Sequence, residues 1–180
     1  MKELFLIEKK HRTHNAATAI QRGQTACTNG CRNSCHSVEF EPSATALEKE
    51  GAGHVVASLG VDSGYVPYTS FSAKTSYMKD HPEVIQSFTN ALQKGMDYVA
   101  AHTPEEIAAV IAPQFEDTDA DTLTTIIKRY YDQDTWKKDL IFSEDSFTLL
   151  QDILESAGEL SSRVPYGDLV DTAYAEKAAK

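Results

Sequence analysis

Long apolar runs are missing from this sequence. No stretch approaches the roughly 20 consecutive apolar residues that a membrane-spanning helix needs, so direct membrane insertion is not expected. The apolar run near the N-terminus is only Leu4, Phe5, Leu6 and Ile7. An export signal wants roughly 7–15 apolar residues and a small-residue cleavage site, so the chain as written is expected to carry none and to stay in the cytoplasm. Basic residues are also few. Seventeen Lys and Arg stand against 27 Asp and Glu, giving a formal charge of -10. Phosphate backbones and anionic surfaces are recognised by clustered Lys and Arg, which argues against nucleic acid as a partner. The acidity reads as solvation of helix faces.

Catalytic motifs are missing too. There is no G-x-S-x-G elbow around Ser63 and no G-x-x-x-x-G-K-[ST] phosphate loop, which excludes the ATPase subunit of a transporter. His54, His81 and His102 lie far apart in the chain. The expectation is a non-enzyme with no cofactor. The three cysteines, Cys27, Cys31 and Cys35, are an odd number, so they cannot all pair within one chain. Their four-residue spacing, with His36 following, would align three thiols on a helix. Zinc sites usually add a second, distant pair of ligands, and none follows, so incidental thiols are expected and no metal site.

What is present is the composition of an ordinary globular protein, 41% hydrophobic and 24% charged over 180 residues. Residues 1–38 are atypical. Between His11 and Val38 the only branched aliphatics are Ile20 and Val38. Such a segment buries too little apolar surface to offset its ordering entropy, so disorder or loose helix is expected through about residue 37, although Met1–Lys10 could form a short strand or helix on Leu4, Phe5 and Ile7. The chain organises itself around Phe40–Phe71. Pro42 suits a first helical turn, and a helix is expected over 43–50 with Gly51 as its left-handed stop. A short apolar strand, His54–Leu59, follows. After the turn at Val61–Gly64 a second extended segment, Tyr65–Phe71, is expected, so that a small sheet spans about residues 54–71.

The rest reads as five or six helices. A short one is expected over 73–78. Asp80-His81-Pro82-Glu83 reads as a capping box with Asp80 as N-cap, opening a long helix that ends near His102. Its apolar stripe is Val84, Ile85, Phe88, Ala91, Leu92, Met96 and Val99. Thr103, Asp119 and Ser143 open further helices, and Pro113 and Gly158 stop two of them.

At this point residues 39–180 resemble the C-terminal part of an ABC-transporter substrate-binding protein of the nitrate, sulfonate, taurine and thiamine-pyrimidine class. The resemblance is carried by Phe40-Glu41-Pro42, the strand His54–Leu59, and Val66-Pro67-Tyr68-Thr69-Ser70-Phe71. The helix DHPEVIQSFTNALQKGMDYVAAHTPEEIA, then YYDQDTW and LVDTAYAEKA, continue it in the same order. It implies a predominantly helical α/β chain, a partial type II periplasmic-binding-protein-like lobe. In that fold two lobes are joined by crossing strands and close on a ligand in the cleft between them. Residues 1–38 have no counterpart, so an N-terminally truncated or frame-disrupted chain with an incomplete cleft is expected.

The resemblance further implies a small polar solute as ligand, ABC permease subunits as partners, and an extracytoplasmic location for the family. It puts Phe40, Glu41 and Ser43, and Tyr65, Tyr68 and Thr69 on the crossing segment, at the ligand. A carboxylate accepts hydrogen bonds from an amino group, and an aromatic stacks on a planar ring. Each has a plainer reading. Glu41 suits a helix first turn, and the crossing segment suits simple packing. Tyr130, Tyr131 and Trp136 read as packing rather than an aromatic cage. Two rival functions stand beside transport: an acidic helical module that docks a protein, and a thiol or metal sensor on Cys27, Cys31, Cys35 and His36.

Overall fold

The computed structural model describes residues 5–9, 25–26 and 35–180, with side chains from His36 onward. The strands are β1 (Phe5–Lys9), β2 (Thr25–Ala26), β3 (Cys35–Glu39) and β4 (Gly53–Ser58). The helices are α1 (Ser43–Lys49), α2 (Leu59–Asp62), α3 (Thr75–Asp80), α4 (Pro82–Ala101), α5 (Pro104–Ile111), α6 (Ala120–Asp132), α7 (Glu144–Ser156), α8 (Tyr166–Leu169) and α9 (Ala173–Ala178). The chain divides into two compact units. The sheet unit holds the described residues up to Gly64 together with Pro104–Thr135, and the helical unit holds Tyr65–Thr103 and Trp136–Lys180.

In the sheet unit the strand order is β2-β3-β1-β4, antiparallel at every pairing. β1 falls in the stretch where a short strand or helix could form, and β2 and β3 lie within the segment expected to be disordered or loosely helical. Phe5 pairs with Glu39 on one side and with Ser58 on the other. The polar strand Cys35-His36-Ser37-Val38-Glu39 is paired on both sides, with β1 and β2, which satisfies its backbone N–H and C=O groups. The expected sheet over 54–71 is corrected in the same way. β4 pairs with β1, and Tyr65–Phe71 forms no strand. Pro67 has no N–H to give a ladder. The turn before it is the single-turn α2, whose N-cap Ser58 accepts from the Val61 N–H at 3.3 Å.

α1 packs on β4 and α6 around the fully buried Ala44, with Leu47, Val55 and Tyr130 against it. α5 and α6 bury Ile107, Ala108, Leu123, Ile126 and Ile127 at the i, i+3, i+4 spacing of facing helix stripes. Tyr130 therefore serves as core packing. The expected stop at Gly51 is present at φ 65°, where a Cβ would be strained.

In the helical unit α4 runs over the expected span, with His102 as its C-cap. Its start differs. Asp80 is the last residue of α3 and His81 is the N-cap, without a side-chain bond, so the expected capping box does not form. Pro82 at the first helical position fixes the cap one residue later than expected. The one fully buried residue of α4 is Gln93, and its half-buried side mixes Ile85, Leu92 and Met96 with Gln86 and Thr89. Gln86 Nε2 donates to the Tyr174 carbonyl at 3.0 Å, and Gln93 Nε2 donates to the Lys138 carbonyl at 3.0 Å. α7 begins at Ser143, whose Oγ accepts from the Ser146 N–H at 3.3 Å, and it stops before Gly158 at φ 74°. Gln151 holds the segment after α7, accepting from the Val164 N–H at 2.8 Å. Phe142, Phe147 and Tyr166 meet edge-to-face, with centroids 5.7–6.4 Å apart.

Among the described residues, no helix is long and apolar enough to cross a membrane. No group of three or more His, Cys, Asp or Glu there is placed to hold a metal ion. Cys27 and Cys31 lie outside the described residues, so the sensor reading falls largely outside them as well.

Candidate functional site

The most elaborate polar construction is in the sheet unit, where α1 meets α6 and β4. Glu41 sits two residues before α1 with its side chain 3% exposed. A carboxylate there can take up helix N–H groups that have no partner within the helix. One oxygen accepts from the Thr45 N–H at 3.0 Å. The other accepts from the Thr45 hydroxyl at 3.0 Å and from Arg129 Nη1 at 2.5 Å. The second arm of Arg129 pairs with Glu48. Glu48 in turn accepts from the Val55 N–H of β4 at 2.8 Å. A planar guanidinium presents donors in a fork, which suits it to two carboxylates at once. Arg129 thereby ties α6 to both ends of α1. Burial pushes the Glu48 carboxyl up, but the Val55 N–H and the guanidinium outweigh it and leave the group below its ordinary range.

A second cluster closes the other end of this face. Asp119 caps α6, accepting from the Thr122 N–H at 2.9 Å and the Thr122 hydroxyl at 2.6 Å. Lys49 Nζ reaches it at 3.2 Å. The two Thr122 bonds, and then Lys49, hold the Asp119 carboxyl far below the usual range.

Between these helices and β4 an open groove of about 420 Å³ runs over Arg129, lined by Val55 and Ser58 on one side and Lys128, Asp132 and Gln133 on the other. Its polar groups are engaged with one another. Ser58 Oγ donates to Gln133 Oε1 at 3.1 Å, Gln133 Nε2 donates to Thr135 at 2.9 Å, and Lys128 pairs with Asp132 at 3.2 Å. The described groove lining contains no nucleophile–base pair of the kind acyl transfer needs. Its chemistry is hydrogen bonding.

The six candidates from the sequence divide evenly between the units. Phe40, Glu41 and Ser43 belong to the sheet unit. Phe40 is exposed and its carbonyl accepts from the Ala44 N–H at 3.0 Å, while Ser43 opens α1 half-buried. Glu41 is turned inward and engaged as described, matching the plainer reading of a helix-start anion. Tyr65, Tyr68 and Thr69 lie exposed on the irregular segment before α3 in the helical unit. Lys137 Nζ stands 5.1 Å from the Tyr65 ring centroid, a cation–π distance.

Sequence reasoning missed Arg129, Thr45 and Glu48. A signal was available. Only two arginines follow residue 39, Arg129 and Arg163. Each spans two carboxylates, Arg163 reaching Asp152 at 2.5 Å and Glu155 at 2.6 Å.

The chain is 43% identical over 138 residues to a Bacillus subtilis (strain 168) protein named "Putative binding protein YtlA". That match covers 77% of this chain and 41% of the relative, so the chain spans well under half of the length of that protein. No protein-family model and no solved structure matches it.

Proposed function

We propose that this chain belongs to the solute-binding proteins that deliver a small polar solute to an ABC permease outside the cytoplasm. The observation that carries the reading is the 43% identity over 138 residues to a protein named for binding. The ordered set of motifs from Phe40-Glu41-Pro42 to LVDTAYAEKA supports the same class. Tyr65, Tyr68 and Thr69, in the helical unit, are the proposed contacts. Glu41, in the sheet unit, instead fixes the start of α1 through Thr45 and Arg129. With that carboxylate engaged, the remaining contacts are hydroxyls and aromatic rings. Those groups favour a planar, hydrogen-bonding solute of the pyrimidine type over nitrate or a sulfonate.

The test is calorimetry and thermal denaturation of the chain with an aminopyrimidine, taurine, an alkyl sulfonate and nitrate. A ligand that binds only the folded chain raises its melting temperature saturably. The expected result is such a rise with the aminopyrimidine, lost in Tyr68→Ala. No response to any of the four overturns solute binding by this chain.

A second reading, a helical module that docks a protein, is favoured by one observation. Phe71 is 76% exposed, with Phe88 edge-to-face against it at 5.0 Å.

A further inference from the structure

α4 carries apolar residues on more than one side, with Ile85, Leu92, Met96 and Val99 half-buried. Its buried face carries Gln86, Thr89 and Gln93, and the side-chain carbonyls of both glutamines are buried without a hydrogen-bond partner. The opposite face carries Val84, Phe88, Ala91 and Gly95. These four lie within about 60° of one another on a helix that turns about 100° per residue. Val84 is 45% exposed and Phe88 47%, and Ala91 and Gly95 are exposed as well. An apolar stripe normally faces a core. Here Ile85, Leu92 and Met96 are half-buried beside the glutamines, and a second apolar strip, Val84, Phe88, Ala91 and Gly95, faces solvent.

Gly95 sharpens the point. A glycine inside a helix is unfavourable relative to alanine. A Cβ built at Gly95 meets nothing within 4 Å, so nothing among the described residues requires its absence. The lack of a side chain suits an object that approaches from outside.

We infer that this face of α4 is the contact between two copies of the chain, packed antiparallel about a two-fold axis between Thr89 and Asn90. A two-fold contact is self-complementary, and this stripe meets that demand in size. Val84 of one copy falls opposite Gly95 of the other, and Phe88 opposite Ala91, so each large side chain meets a small one. It meets the demand in charge as well. Glu83 and Lys94 share one flank of the stripe, and both are exposed. In an antiparallel pair like flanks face each other, which sets Glu83 near Lys94 of the second copy, twice over. Flanking charges of this kind set partner and orientation in helix pairs. Phe71, seated on Phe88, widens the apolar contact.

The experiment is sedimentation velocity on the whole chain under reducing conditions, at roughly 1 to 100 µM, a range suited to an interface of modest size. The expected species is twice the 19.8 kDa chain mass at the upper end. Phe88→Glu and Gly95→Val each weaken association at least tenfold. Glu83→Lys and Lys94→Glu, at exposed positions that leave the fold intact, each weaken it alone and restore it together. Circular dichroism confirms that each variant is folded. A chain that stays monomeric throughout overturns the inference. So does a dimer indifferent to Phe88→Glu, or one that the paired charge reversal fails to rescue.

Discussion

Replacing Arg129 by methionine removes the guanidinium and keeps much of the apolar stem. The consequence falls on Glu41, whose side chain is 3% exposed. Breaking a buried ion pair from one side costs about 3–5 kcal/mol, because the remaining charge has no compensation. Glu41 keeps the Thr45 N–H and hydroxyl at 3.0 Å each, which places the expected loss at the lower end, about 3 kcal/mol. Glu48 adds little, since its side chain is 29% exposed and retains the Val55 N–H. Urea unfolding followed by far-ultraviolet circular dichroism reads the loss. The control is Glu41→Gln in the same background. A neutral amide still accepts from Thr45, so the double variant recovers to within about 1 kcal/mol of the parent. A loss under about 1 kcal/mol for Arg129→Met, or a double variant no better than the single, would refute the account of Glu41 as a buried, Arg-dependent carboxylate.

Thr45→Val deletes the hydroxyl that donates to Glu41 and leaves the shape, so it costs about 1–2 kcal/mol in the same assay. Asp119→Asn removes a carboxylate whose folded-state pKa is depressed by Thr122 and then Lys49. A depressed carboxylate contributes stability above its unfolded value of about 3.9 and loses it as pH falls toward the folded value. Unfolding midpoints of parent and variant therefore differ at neutral pH and converge in acid, and a constant difference would contradict the assignment. Gly158→Ala destabilises by about 1 kcal/mol because φ is 74° there. Gly95→Ala, in a helical turn with open space, stabilises the isolated monomer by about 1 kcal/mol. Equal signs for the two glycines in thermal denaturation would remove the distinction drawn between them.

Local signals in the sequence carried much of the helical architecture. Glycines 51 and 158 are read as helix stops and Gly64 as a turn residue, and all three have positive φ. Asp119 and Ser143 cap helices as their hydrogen-bonding chemistry suggests. Failures arose where partners are remote. β1 and β4 are separated by more than 40 residues, and β3 is polar enough to read as loop, so no window of sequence contains the pairing. Asp80 failed for a local reason, because Pro82 takes the first helical position. At the site, Glu41 was visible as a helix-start acid but Arg129 was not, since an arginine 88 positions away leaves no periodic trace. The exposure of part of the α4 stripe, Val84, Phe88 and Ala91, was also illegible, while Ile85, Leu92, Met96 and Val99 are half-buried. Periodicity reports that a helix has an apolar side, and it is silent on whether the chain itself covers that side.

The position of β1 within the sheet bears on how the molecule comes into being. β1 occupies an interior place, between β3 and β4. Its edge toward β3 waits for Glu39 to be synthesised, and its edge toward β4 waits longer, for Ser58. Proteolytic trimming past Lys9 would for the same reason not shorten the sheet from its margin. It would part β3 from β4, leaving two separate edges where one continuous ladder had been.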